Sequence, residues 1–73
     1  MANKTKDQWE LEDQYGLPIA EIIRNKLREC HQTEGRYFFA VAAARLGHSD
    51  ETLRKWCRQW GIDPVLEVEG EYE

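Results

Sequence analysis

Three basic side chains that can contact a nucleic acid lie close together: Arg54, Lys55 and Arg58. A guanidinium group pairs with N7 and O6 of guanine, and both arginine and lysine bind phosphate oxygens. On a helix, Arg54 and Arg58 would be i, i+4 neighbours, and their like charges would repel by roughly 0.2–0.5 kcal/mol. A solvated helix face also tolerates such a pair, but contact with an anion would offset the repulsion. The spacing therefore favours phosphate and base contacts.

Further polar residues nearby extend this candidate surface. Glu51 can accept a hydrogen bond from a cytosine amino group. Ser49 and Thr52 precede the basic residues and can donate to a phosphate or a base, while Arg45 and Arg36 are candidates to hold the phosphate backbone. The predicted DNA-binding residues are Ser49, Glu51, Thr52, Arg54, Lys55, Arg58, Arg45 and Arg36.

Apolar spacing indicates the helix that would present these side chains. The residues spaced i, i+3, i+4 and i+7 are Leu53, Trp56, Cys57 and Trp60. This pattern predicts a helix from Asp50 to Trp60 with one buried stripe and an opposite face centred on Glu51, Lys55 and Arg58. The helix should stop at Gly61, where Ile62 can make the hydrophobic contact of a Schellman ending.

A second, alanine-rich helix should precede it and end at Leu46. Gly47 can adopt the left-handed conformation that closes a helix, and Ser49 or Asp50 can cap the next one. Small residues such as Ala42 and Ala43 allow two helices to pack closely. Residues 39–61 are therefore predicted to form a helix-turn-helix.

The order Ala43, Leu46, Gly47, Ser49, Thr52, Leu53 and Trp56 resembles the helix-turn-helix of bacterial transposase and invertase DNA-binding domains and of small phage or prophage regulators. The run TLRKWCRQWGID, residues 52–63, is similar to their recognition helix and its exit. The resemblance covers about twenty-five residues well. It implies DNA binding in gene control or in mobile-element biology. His48 departs from the pattern, because these families usually carry an aliphatic residue there.

The rest of the chain predicts an all-α bundle of three to four helices in one domain, residues 1–64. A first helix should run from Asp7 to Tyr15, and a second should begin at Pro18, which suits a first helical turn. A third is expected over 34–46 with Thr33 as its cap. Residues 65–73 form an acidic tail. Alternation from Leu66 suits a short strand that pairs with a second subunit, but a frayed tail is the stronger expectation, because dense charge opposes ordering.

The net charge of −4 is unevenly distributed. Residues 21–62 contain eight Lys and Arg against five acids, which gives +3, whereas residues 63–73 contain five acids and no base. A modest attraction to phosphates is therefore expected in the middle of the chain. No apolar run is long enough to cross a bilayer or to serve as the core of a signal peptide, which predicts a cytoplasmic protein.

Catalytic, metal and cofactor sites are not expected. Neighbouring His48, Ser49 and Asp50 cannot form a nucleophile relay, because its members must converge from separate elements. Cys30 and Cys57 are predicted to be reduced core thiols, in preference to a disulfide or a zinc site. Trp56 and Trp60 should be core residues, whereas Trp9 either covers the core or stands exposed at a partner surface.

Two functions follow from these patterns. The preferred one is sequence-specific binding of duplex DNA by a homodimer that regulates transcription in a phage or mobile element. The alternative is a small acidic protein that inhibits a host protein or a nucleic-acid-binding complex. In that case the tail residues Glu67, Glu69, Glu71 and Glu73 would compete for basic groups.

Overall fold

A computed structural model of the protein describes residues 3–69. The elements in this part of the chain are α1 (Lys6–Tyr15), α2 (Ile19–Glu34), a 3₁₀ turn (Gly35–Tyr37), α3 (Phe38–Arg45), α4 (Asp50–Gln59) and α5 (Pro64–Glu69). The predicted all-α class is confirmed. None of these helices combines the length and the apolar character that a membrane span requires.

The long helix α2 is the centre of the core. Helices α1, α3 and α5 all pack against it. Its buried face consists of Ile19, Ile22, Ile23, Leu27 and Cys30. Full burial of one such aliphatic side chain contributes about 1.5–3 kcal/mol. Helix α3 brings its small Ala42 and Ala43 to this face, and both are completely buried, so the two helices approach closely.

A carboxylate from α1 caps the start of α2. Pro18 stands at the N-cap and has no side-chain donor or acceptor. Instead, Glu12 accepts a hydrogen bond from the backbone N–H of Ile19 at 2.6 Å and another from the Lys4 ammonium at 2.9 Å. The Lys4 hydrogen bond is the main cause that lowers the pKa of Glu12. An anion at this helix end also complements the helix dipole.

The predicted third helix over 34–46 is wrong at its start. Helix α2 continues through Glu34, and the Thr33 hydroxyl donates to the Cys30 carbonyl within that helix instead of capping the next one. Gly35 then takes a φ of 58°, which ends α2. A 3₁₀ turn follows, and α3 begins only at Phe38.

Neither expectation for the tail holds in its described part, because Pro64–Glu69 is a helix. The Asp63 carboxylate accepts from the N–H groups of Val65 and Leu66, and Pro64 occupies the favourable first position. Val68 is buried, and Glu67 forms ion pairs with α2. These tertiary contacts outweigh the alternating pattern. The predicted domain boundary falls inside α5, and residues 70–73 lie outside the described part.

Both cysteines are buried free thiols, as predicted. Burial raises the pKa of Cys30, and it raises that of Cys57 to about 11. A thiol with such a pKa is protonated at neutral pH and is a poor nucleophile. The two side chains therefore serve as core packing.

Candidate nucleic-acid interface

The turn between α3 and α4 has the predicted glycine geometry. Gly47 adopts a φ of 81°. The His48 N–H donates to the Ala43 carbonyl at 2.9 Å, and the Gly47 N–H donates to the Ala44 carbonyl at 3.0 Å. This pair of bonds is a Schellman motif, which satisfies the last carbonyls of α3 and reverses the chain within a few residues. The turn fixes the direction in which α4 leaves.

The His48 side chain packs the turn against α4. Its imidazole lies against the indole of Trp56, with ring centroids 4.7 Å apart. Trp56 is itself buried in the core. The contact therefore attaches the turn to the inner face of α4.

Ser49 is the N-cap of α4. Of the two predicted caps, Ser49 and Asp50, the structure thus has the first. Its hydroxyl oxygen accepts from the Thr52 N–H at 3.2 Å, and the Ser49 hydroxyl donates to Thr52 Oγ1 at 3.1 Å. Ser49 thus uses both donor and acceptor inside the protein. Thr52 keeps its hydroxyl proton for another acceptor, and Asp50 and Glu51 occupy the first turn, where acids suit the helix dipole.

Helix α4 separates an apolar face from a polar face, as its spacing predicted. Leu53, Trp56 and Cys57 are buried, and Trp60 is half-buried against the core. The exposed polar side chains are Glu51, Arg54, Lys55 and Arg58, which together we call the α4 outer face. The helix ends in the predicted Schellman motif. The Ile62 N–H donates to the Cys57 carbonyl at 2.8 Å, and the Ile62 side chain is buried.

The three cations of the α4 outer face have no partner acid within residues 3–69. Arg54, Lys55 and Arg58 form no ion pair there, although Glu51 lies one helical turn before Lys55. The Arg54 guanidinium instead lies over the Phe39 ring at 5.7 Å from its centroid. Such exposed, uncompensated cations are available to an external anion.

Most other cations are neutralised within the protein. Arg24 and Arg28 both pair with Glu67, Lys26 pairs with Glu29, and Lys4 pairs with Glu12. Within residues 21–62, the basic side chains without an ion pair are therefore those of α4 and Arg36.

Arg45 and Arg36, the two arginines predicted to hold the phosphate backbone, lie outside α4 and differ in their surroundings. Arg45 is tied to α2 through Glu29 at 3.6 Å and Glu34 at 4.0 Å, so a phosphate would have to compete with two carboxylates. Arg36 lies in the 3₁₀ turn, where it is exposed, stacks on Tyr37 and donates to its hydroxyl at 3.1 Å. Of these two arginines, Arg36 alone forms no ion pair with a carboxylate within residues 3–69.

The N-terminal segment covers one flank of α4, a contact that the sequence patterns did not predict. Gln59 accepts from the buried Gln8 amide at 2.9 Å and donates to the Asn3 carbonyl at 2.7 Å. Thr5 and Gln8 form a capping box that starts α1 and orients Gln8. The spacing of Thr5 and Gln8 signals the capping box but not the contact with Gln59. Trp9, on the same helix, is 58% exposed and does not cover the core.

No group of three or more His, Cys, Asp or Glu side chains in residues 3–69 is arranged to hold a metal ion. The arrangement on α4 instead presents cations, a carboxylate and a hydroxyl to one side. Comparison with protein-family models, with curated proteins and with solved structures finds no match for this chain.

Proposed function

We propose that the protein binds duplex DNA through the α4 outer face. The observation that carries the proposal is the contrast between Arg54, Lys55 and Arg58, which are exposed and unpaired, and the basic residues elsewhere, most of which are paired with the protein's own acids. A helix of this size fits the major groove, and the preceding turn leaves its outer face open.

The side chains divide into two roles. Arg54 and Arg58 are suited to guanine or phosphate contacts, and Lys55 to a phosphate. Glu51 repels phosphates but accepts from the amino group of cytosine, so it favours a sequence that places a cytosine opposite it. Discrimination between sequences would arise from this mixture of charges.

The biological role that fits is transcription regulation in a bacterial phage or mobile element, in the cytoplasm and as a homodimer. One recognition helix contacts few base pairs. Two copies bound to half-sites about one helical turn, roughly 34 Å, apart would give a useful specificity. The resemblance of residues 39–63 to transposase, invertase and phage helix-turn-helix segments supports the same role.

The alternative is an acidic protein that inhibits a host protein or complex. The net charge of −4 favours it. Against it, Glu67 is already engaged by Arg24 and Arg28, so one of the four tail acids is directed inward.

Fluorescence anisotropy with a labelled random duplex, measured over a salt series, tests the proposal. Arg58→Ala and Lys55→Ala should each weaken binding by about 1–3 kcal/mol, and loss of one phosphate contact should reduce the salt slope by about 0.9. Lys26→Ala is the matched control, because Lys26 is paired with Glu29 on α2. If Arg58→Ala and Lys55→Ala bind as tightly as the wild type, the α4 assignment is wrong.

A further inference from the structure

An apolar groove runs along one side of α4. Its apolar residues have no role in the proposed DNA binding. Its volume is about 410 Å³. The start of α3 supplies Phe38 and Phe39, and the segment after α4 supplies Ile62 and Val65. The two phenylalanine rings meet edge to face, with centroids 6.4 Å apart, and form one wall. We call this feature the Phe39 groove.

Two cations stand at the rim of this apolar surface. Arg54 and Arg58 both line the Phe39 groove, and the Arg54 guanidinium lies over the Phe39 ring. Neither arginine is in an ion pair within residues 3–69. Lys55, although it is their neighbour on α4, does not line the groove. The groove thus combines an apolar floor with a rim of unpaired positive charge.

We propose that the Phe39 groove binds a small apolar carboxylate. The carboxylate would pair with the guanidinium groups of Arg54 and Arg58, and the hydrocarbon body would lie against Phe39, Ile62 and Val65. Arginine and carboxylate match each other in a planar, bidentate geometry. The volume falls within the range of about 300–1,000 Å³ that is typical of small-molecule sites.

The size of the feature favours a small molecule over a protein segment. A stable protein interface buries about 800 Å² on each partner. The Phe39 groove offers only a few apolar side chains, bounded by α3, α4 and the start of α5. Because the floor is apolar, a ligand with a large apolar body is preferred over a strongly hydrated ion such as free phosphate.

The same site would regulate DNA binding, a step that rests on the proposed function. Arg54 and Arg58 belong to both the Phe39 groove and the α4 outer face. A carboxylate that engages their guanidinium groups withdraws them from phosphates and bases. The ligand and DNA should therefore bind competitively, and each should weaken the other by the same factor.

The first experiment titrates the ¹⁵N-labelled protein with 1-naphthoate and follows amide chemical shifts. Saturable shifts are expected near Phe39, near Arg54 and Arg58, and near Val65, with a dissociation constant of about 1 mM or below. The neutral 1-naphthalenemethanol has the same apolar body and should bind about tenfold more weakly, because it lacks the charge-assisted bonds. Shifts that do not saturate, or equal binding of the two compounds, would overturn the proposal.

Variants distinguish residues that line the Phe39 groove from Lys55, which belongs only to the α4 outer face. Arg54→Ala should weaken naphthoate binding about tenfold, and Val65→Ser should weaken it severalfold by removing part of the wall. Arg54 and Val65 are exposed, so both variants should fold. Lys55→Ala is the control and should bind naphthoate like the wild type. Binding that is unaffected by Arg54→Ala and Val65→Ser would place the ligand elsewhere.

The second experiment measures DNA affinity with and without saturating naphthoate. We expect weaker DNA binding by the wild type and a smaller effect in Val65→Ser at the same ligand concentration. Unchanged DNA affinity at saturation would refute the competition. If the protein binds no DNA at all, the proposed function and the competition both fail, whereas the naphthoate titration still decides whether the groove is a ligand site.

Discussion

The imidazole of His48 lies against the indole of Trp56, with ring centroids 4.7 Å apart and planes inclined by 57°. One ring belongs to the turn after α3, and the other belongs to the buried face of α4. The contact joins the turn after α3 to the buried face of α4. The turn is thus anchored to the core through an aromatic contact.

His48→Ala should lower the free energy of unfolding by about 1 kcal/mol, because an aromatic pair contributes roughly 0.5–1.5 kcal/mol beyond the area that it buries. His48→Leu should lower the free energy of unfolding by less, since leucine restores an apolar contact with Trp56. Urea unfolding followed by tryptophan fluorescence measures both. Equal stability of His48→Ala and the wild type would mean that the ring contact does not support the turn.

Gly47→Val should destabilise the protein more than Gly47→Asn. A Cβ at position 47 would meet no atom within 4 Å, so the cost arises from the φ of 81° alone. Left-handed backbone costs a residue with a Cβ about 1–2 kcal/mol, and a β-branched residue adopts it least well, whereas asparagine tolerates it. Thermal unfolding midpoints give the ranking, and identical midpoints for Val and Asn would contradict it.

Stability should decrease in acid partly because of Glu12. The folded-state pKa of Glu12 is lowered below its ordinary value of 4.5, chiefly by the Lys4 hydrogen bond. A carboxylate of this kind stabilises the fold above its unfolded pKa, and the stabilisation is lost as the pH falls through the folded value. Glu12→Gln should therefore be less stable than the wild type near neutral pH. Its stability should also decrease less than that of the wild type as the pH falls.

Unfolding curves at several pH values between about 6 and 3 test this linkage. Glu10→Gln, at an exposed position of the same helix, has the same change of charge and serves as the control. Parallel stability profiles for Glu12→Gln and the wild type would show that Glu12 is not linked to folding.

Glu67→Gln should loosen α5. The Glu67 carboxylate pairs with Arg24 at 3.1 Å and with Arg28 at 2.8 Å, and these contacts attach α5 to α2. Because the arginines are partly exposed, the expected loss is only about 1 kcal/mol. Hydrogen exchange of the α5 amides should become faster. Glu69→Gln, at an exposed position, should leave the exchange unchanged; if both variants behave alike, the ion pairs do not anchor α5.

The features that could be predicted from the sequence depend on residues close together in the chain. Gly47, Ser49 and Gly61 end or start helices through bonds to residues within five positions, so their roles follow from local geometry. The buried stripe of Leu53, Trp56 and Cys57 follows in the same way from helical periodicity. The polar α4 outer face is its necessary counterpart.

The features that could not be predicted depend on contacts between distant segments. Glu67 meets Arg28 across 39 positions, and Gln8 meets Gln59 across 51. No local pattern specifies such pairs. The α5 helix illustrates the consequence, because the alternation in its sequence indicates a strand while its burial against α2 and the Asp63 cap favour a helix. The Phe39 groove likewise forms only when α3, α4 and α5 are assembled.

The most direct test of the DNA-binding proposal is selection from a random duplex DNA library on the purified protein at about 50 mM and then about 200 mM salt, the range over which phosphate contacts lose affinity. We expect an enriched palindromic site whose half-sites lie about one helical turn apart, and loss of that enrichment in Arg58→Ala. No enrichment, together with no retention of DNA at the lower salt concentration, would contradict DNA recognition.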